Sequence, residues 1–211
     1  MLTKPRGRVL LAIFAAAIVS QIGCIHSTNP LVAPEKAETD KSLYGAWRGI
    51  LPNIGGPEPT EDSFYYIGRA GKGYPEGMMR LVLVTADRKS GPAALECFFF
   101  EARIGGVRYL NFASLPDGSR PAEEWKPEGA KLYMIARCTV QEDVLTLEFV
   151  NKQALKDAVD AKKLQGTRDA DGYVDHLTSS TDELAKFFAT PDAKALFSER
   201  PDMQLKLKRV K

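Results

Sequence analysis

Hydrophobic and polar positions follow two rhythms along this chain. Between residues 80 and 150, short apolar runs rich in β-branched and aromatic side chains alternate with turn formers. "RLVLVTA" (80–86), "ALECFFFEARI" (94–104), "VRYLNFA" (107–113), "LYMIARCTV" (132–140) and "VLTLEFV" (144–150) read as strands. Gly105-Gly106 in "ARIGGVRY" supplies the positive φ angles of a two-residue hairpin. Its register pairs Ile104 with Val107, Ala102 with Tyr109 and Phe99 with Phe112. "VQEDVL" marks a second hairpin, tying 132–140 to 144–150. Links this local build an antiparallel meander rather than a parallel α/β sheet.

The period changes after residue 150. In "NKQALKDAVDAKK", Ala154, Leu155, Ala158 and Val159 recur at helical spacing behind Asn151, a good cap. In "SSTDELAKFF", Ser180 and Glu183 form a capping box ahead of Leu184, Phe187 and Phe188. Thr190-Pro191 ends that helix, and Pro191 suits the start of a short second one. "MQLKLKRV" then alternates as a last strand, with Leu205 and Leu207 on one face and Lys206 and Lys208 on the other. Strands, a helical excursion and a returning strand describe a sheet whose two ends meet, hiding its edges. The predicted fold is mainly β: an antiparallel up-and-down barrel or strongly curled sheet, with one or two short helices before the last strand.

The first residues have another character. Lys4, Arg6 and Arg8 precede the unbroken apolar run "VLLAIFAAAIV" (9–19). That run is about half of the ~20 residues a membrane-spanning helix needs, so the pattern predicts an export signal. It ends at "SQIGC". Ile22, Gly23 and Cys24 resemble the lipobox of bacterial lipoproteins, although Gln21 stands where that family usually has an aliphatic residue. The resemblance implies cleavage before Cys24 and acylation of that residue, hence anchoring to a membrane through acyl chains. Ile25, rather than Asp, after the cysteine implies sorting to an outer membrane where one exists. The expected organisation is a signal peptide over 1–23, a lipidated Cys24 with a flexible tether over 24–40, and one domain over 41–211.

Removal of the signal changes the charge. The chain carries 29 basic and 27 acidic side chains; without Lys4, Arg6 and Arg8 it has 26 against 27. A near-neutral domain offers no electrostatic case for a nucleic-acid partner.

The stretch "LYGAWRG" (43–49) opens the domain. Gly45-Ala46-Trp47 resembles the G-x-W of the lipocalin and calycin barrels, while their second motif, T-D-Y, is absent. The resemblance implies that Trp47 plugs the closed end of a barrel under a basic residue from near the last strand. Parity selects Arg209, which shares a face with Leu205 and Leu207. "EARIGGVRYLNF" and "LYMIARCTVQEDVLTLEFV" also look like segments of bacterial envelope lipoproteins, a resemblance that brings no activity with it. Phe98 and Phe100 face opposite to Phe99, so one set points inward; Phe98, Phe100 and Tyr109 are the candidates to face a ligand.

Other candidates for chemistry read as structure. Cys97 and Cys138 lie on strands separated by 107–113, about two strand spacings or ~9.6 Å apart, beyond disulfide reach; both are expected to be core thiols. Histidine is confined to His26 and His176, too few for a His-based triad or a typical metal hydrolase. "TRDADGYVDHLT" places Asp169, Asp171, Gly172 and Asp175 at calcium-loop offsets, but Thr167 and Thr178 occupy the positions that need carboxylates. A turn leading into a strand is the simpler reading. "GRAGKGYPEG" (68–77) has the glycines of a phosphate loop without the Lys-Ser/Thr; it is expected to be a flexible loop, placed at the barrel mouth. Glu123, Glu124 and Trp125 fall in a long polar connection.

No metal, cofactor or catalytic constellation is called for. The expected function is that of a membrane-anchored carrier, binding a lipid or small hydrophobic molecule in a lipocalin-like barrel. The alternative is a closed structural or protein-interaction module of the cell envelope with no ligand cavity. An enzyme ranks third.

Overall fold

The computed structural model describes residues 26–50, 63–87, 91–114, 132–197 and 204–211. The expected export signal, Cys24 and the connection holding Glu123, Glu124 and Trp125 lie outside the described residues.

Eight antiparallel strands close into a barrel. They are β2 (Gly45–Gly49), β3 (Ser63–Arg69), β4 (Met78–Asp87), β5 (Gly91–Ile104), β6 (Val107–Ser114), β7 (Leu132–Gln141), β8 (Val144–Phe149) and β11 (Gln204–Arg209). Each pairs with the next, β6 also meeting β7. The ring closes because β11 pairs with β8 on one side, Leu207 opposite Leu145, and with β2 on the other, Arg209 opposite Trp47. The Gly105-Gly106 hairpin pairs Ile104 with Val107, Ala102 with Tyr109 and Phe99 with Phe112. Its two glycines take φ angles of 58° and 77°, open to glycine at no steric cost.

β3 is a strand that the sequence reading did not include. Its burial nevertheless alternates cleanly, with Ser63, Tyr65 and Ile67 buried and Phe64 and Tyr66 exposed. Aromatic residues on both of its faces hide that alternation from a hydropathy pattern.

Strand parity sorts the core into an inside and an outside. One cluster draws side chains from all eight barrel strands, including Trp47, Tyr65, Met79, Phe99, Leu110, Cys138, Leu145 and Leu207, and faces the interior. The opposite face of β5, β6 and β7 packs outward. There Tyr109, Ala102 and Ile135 meet α1 (Lys152–Asp160), α2 (Thr181–Phe188) and α3 (Asp192–Ala195). Asn151 caps α1 by accepting from the N–H groups of Gln153 and Ala154. Ser180 and Glu183 cap α2 reciprocally. Helices thus shield the outer face where it is most apolar. Among the described residues no helix is long and apolar enough to cross a membrane.

Two expectations need correction. Residues 26–40 are not a flexible tether. β1 (His26–Ser27) sits between β7 and β10 (Val174–Leu177), pairing antiparallel with the former and parallel with the latter. β1 takes the edge of β7 at Tyr133 and Met134, beyond the point where β8 ends opposite Ala136. Leu31 is buried, and its N–H donates to Asn111 Oδ1 at 2.8 Å. A segment rich in Pro, Ser and charge lacks periodicity, but here it gains order from an existing strand edge. The loop 68–77 also lies elsewhere than expected. It joins β3 to β4 beside the Arg69–Met79 pair, at the end of the barrel that holds Gly45 and Arg209, opposite the expected mouth.

Candidate functional site

The two ends of the barrel differ. Gly45, Arg69, Ile104, Val107, Gln141, Val144 and Arg209 stand at one end, where the connections are short. Gly49, Ser63, Asp87, Gly91, Ser114, Leu132, Phe149 and Gln204 stand at the other, where residues 51–62, 115–131 and the helical excursion join the strands.

The first end is sealed. Trp47 is completely buried, and its Nε1 donates to the Leu43 carbonyl at 2.8 Å. Leu43 belongs to a 3-10 turn, Lys41–Leu43, that Asp40 caps through the Ser42 N–H. The Arg209 guanidinium lies over the indole, 4.0 Å from ring centre to Cζ. Its two outer nitrogens donate to the carbonyls of Tyr44 (2.7 Å) and Ser42 (2.5 Å). Gly45 makes room for this arrangement. Its φ is +127°, and a Cβ there would stand 2.9 Å from Arg209 Nη1.

A charged cluster reinforces the seal, one that the sequence reading did not find. Glu101 is buried on the inward parity of β5, with Oε1 2.6 Å from Arg103 Nε and 3.5 Å from Arg108 Nε. Arg103 and Arg108 also reach the Asp40 carboxylate. Burial opposes the charge on Asp40, but its bonds from Ser42 and the two guanidinium groups together hold its pKa below the usual value. For Glu101 burial wins over both arginines, and its pKa is raised. Charge at strand positions in "EARIGGVR" was visible in the sequence; that it faces inward follows only from the register.

Toward the other end Leu83, Phe112, Phe149 and Leu205 face the interior and are buried. Interior side chains near the seal, Trp47, Met79, Phe99 and Leu145, have no accessible surface. Leu95, Cys97 and Met134 line the same interior closer to the other end and are partly exposed. Within this interior the Tyr65 hydroxyl is buried and has no hydrogen-bond partner.

The residues expected to face a ligand lie elsewhere. Phe99 points into the barrel, so Phe98 and Phe100 point out. They pack with Met78, Ala113 and Tyr133, Phe98 stacked on Tyr74 at 4.8 Å. Tyr109 also points out, edge-on to Phe188 of α2. The alternation was legible in the sequence; which set was inside was not, because the covering segments supply as much apolar surface as the interior.

Cys97 and Cys138 are free. Cys97 is level with Ser114 at one end of β6 and Cys138 with Arg108 at the other, so the gap between them exceeds two strand spacings. Burial pushes both thiols up to about 12, far from a reactive thiolate. Asp169 Oδ1 accepts from the N–H groups of Asp171 and Tyr173, closing the turn between β9 (Gly166–Arg168) and β10. Thr167 binds Asp175 from the adjoining strand at 2.7 Å. Among the described residues no group of three His, Cys, Asp or Glu side chains is placed to hold a metal ion.

No protein-family model matches this chain, and comparison with curated proteins and with solved structures returns no match.

Proposed function

We propose that this chain is an exported lipoprotein of the cell envelope, anchored by acyl chains on Cys24, whose lipocalin-like barrel takes up a lipid or small hydrophobic molecule. The observation that carries the reading is the sealed base of an apolar barrel. Trp47, Arg209 and the 3-10 turn seal one end, whereas partly exposed apolar side chains line the interior toward the other. An apolar interior closed at its base favours a ligand that leaves water tail or ring first. No reaction is assigned to the chain.

The alternative, a closed module that binds partners through its loops, draws on a different observation. Phe99, Met79, Leu110, Leu145 and Leu207 already fill the barrel centre, as an eight-stranded barrel can do unaided. Native mass spectrometry of protein purified from its own envelope separates the two. A co-purifying lipid or metabolite supports the carrier, and a bare mass supports the module. Labelled palmitate tests the anchor separately: incorporation is expected in the wild type and none in Cys24→Ser.

A further inference from the structure

Buried hydroxyl groups in folded proteins almost always have a hydrogen-bond partner. Tyr65 is 2% exposed, and its hydroxyl has none. Glu101 and Asn111 also carry unpaired atoms, but Glu101 lies against Arg103 and Arg108, and Asn111, whose Nδ2 is unpaired, is on the outward face of β6, where its Oδ1 accepts from the Leu31 N–H. Among the described residues the Tyr65 hydroxyl has no hydrogen-bond partner. Cross-strand pairing sets Tyr65 between Trp47 on β2 and Leu83 on β4, on the inward face. The phenol therefore ends inside the barrel, one strand from the indole that seals it.

We propose that Tyr65 is the polar anchor of the barrel's ligand, and that this ligand is an uncharged amphiphile bound with a hydroxyl or carbonyl group innermost. The inference rests on the carrier reading and specifies its cargo. A phenol offers one donor and acceptor lone pairs, so it suits an alcohol or a carbonyl equally. Charge is disfavoured because the side chains clustered around Tyr65, among them Trp47, Ile67, Leu81 and Leu83, are apolar. The nearest cation of the seal, Arg209, is committed to the Ser42 and Tyr44 carbonyls and to the indole. An ionised head group beside Tyr65 would thus be buried without a counter-charge. The apolar portion then extends toward Leu95, Cys97 and Met134, where the interior is partly exposed.

The test uses the full chain, wild type and Tyr65→Phe, with the neutral fluorophore N-phenyl-1-naphthylamine as reporter and octan-1-ol and octane as competitors. The substitution removes only an unpaired oxygen, so the ligand-free variant is expected to be at least as stable in urea. Tyr65→Phe is expected to weaken displacement by octan-1-ol about tenfold, the worth of roughly one net hydrogen bond, and to leave octane unchanged. Equal weakening of both, or no change in either, overturns the anchor while leaving the carrier intact. Failure of the wild type to bind the fluorophore overturns anchor and carrier together.

Discussion

The Arg209 guanidinium lies 4.0 Å from the centre of the Trp47 ring, and the two residues are cross-strand partners in the pair that closes the barrel. One contact therefore joins the ends of the sheet and seals its base. Arg209→Ala removes a cation–π contact worth about 1–2 kcal/mol together with two hydrogen bonds to carbonyls. The expected loss in urea unfolding is about 2–3 kcal/mol. Arg209→Lys recovers only part of it, because one ammonium cannot cover the ring and reach both carbonyls. Trp47→Ala is expected to cost about 3–5 kcal/mol, as for other buried large aromatics.

The second prediction concerns the segment ahead of the barrel. Leu31 is buried against the outer face, and its N–H is held by Asn111. Leu31→Ala is expected to destabilise the domain by about 2–4 kcal/mol, where the same change in a free tether would cost nothing. Urea unfolding of the two proteins decides it, and equal midpoints would return residues 26–40 to the status of a linker.

How much of this was legible in the sequence depends on the range of the interactions. Asn151, the Ser180–Glu183 box and the Gly105-Gly106 turn act within a few residues, and the sequence carries them directly. The Trp47–Arg209 contact spans the chain, yet alternation in "LKLKR" placed Arg209 on the buried face of its strand. Local pattern does not reveal which face of β5 is inside. Phe98 and Phe100 are as buried as Phe99 because the outer face is itself covered, so hydropathy cannot separate the two. Tyr65 was missed with its strand. The charged base was missed because Asp40 reaches Arg103 and Arg108 across more than sixty residues of sequence.

The thiols give a third prediction. Cys97 and Cys138 are both pushed up to about 12 by burial, with Cys138 also facing Arg108. They stand at opposite ends of β6. Native protein is expected to react slowly with a thiol reagent at neutral pH and to form no intramolecular disulfide under mild oxidation. Both thiols should react at once in guanidinium. An intact mass two hydrogens lower, with native fluorescence retained, would show that the strands are arranged otherwise.

Acidification tests the joint between β1 and β10. His26 and His176 are directly paired across it, with ring centres 5.9 Å apart. Burial chiefly, then the neighbouring His176, hold the His26 pKa below its usual 6.5, while Asp175 pulls the other way. Asp175 is itself engaged with His176 Nδ1 at 3.1 Å, and across the joint on β7 the partner of His26 is the uncharged Met134. The folded state thus prefers neutral His26, whereas the unfolded chain binds a proton near pH 6.5. The stability from this group is full above that pH and falls as the pH drops from 6.5 toward the folded-state value. Unfolding midpoints in urea at pH 7.5 and 5.5 are expected to differ more in the wild type than in His26→Gln. Equal differences would mean that the joint does not sense the proton.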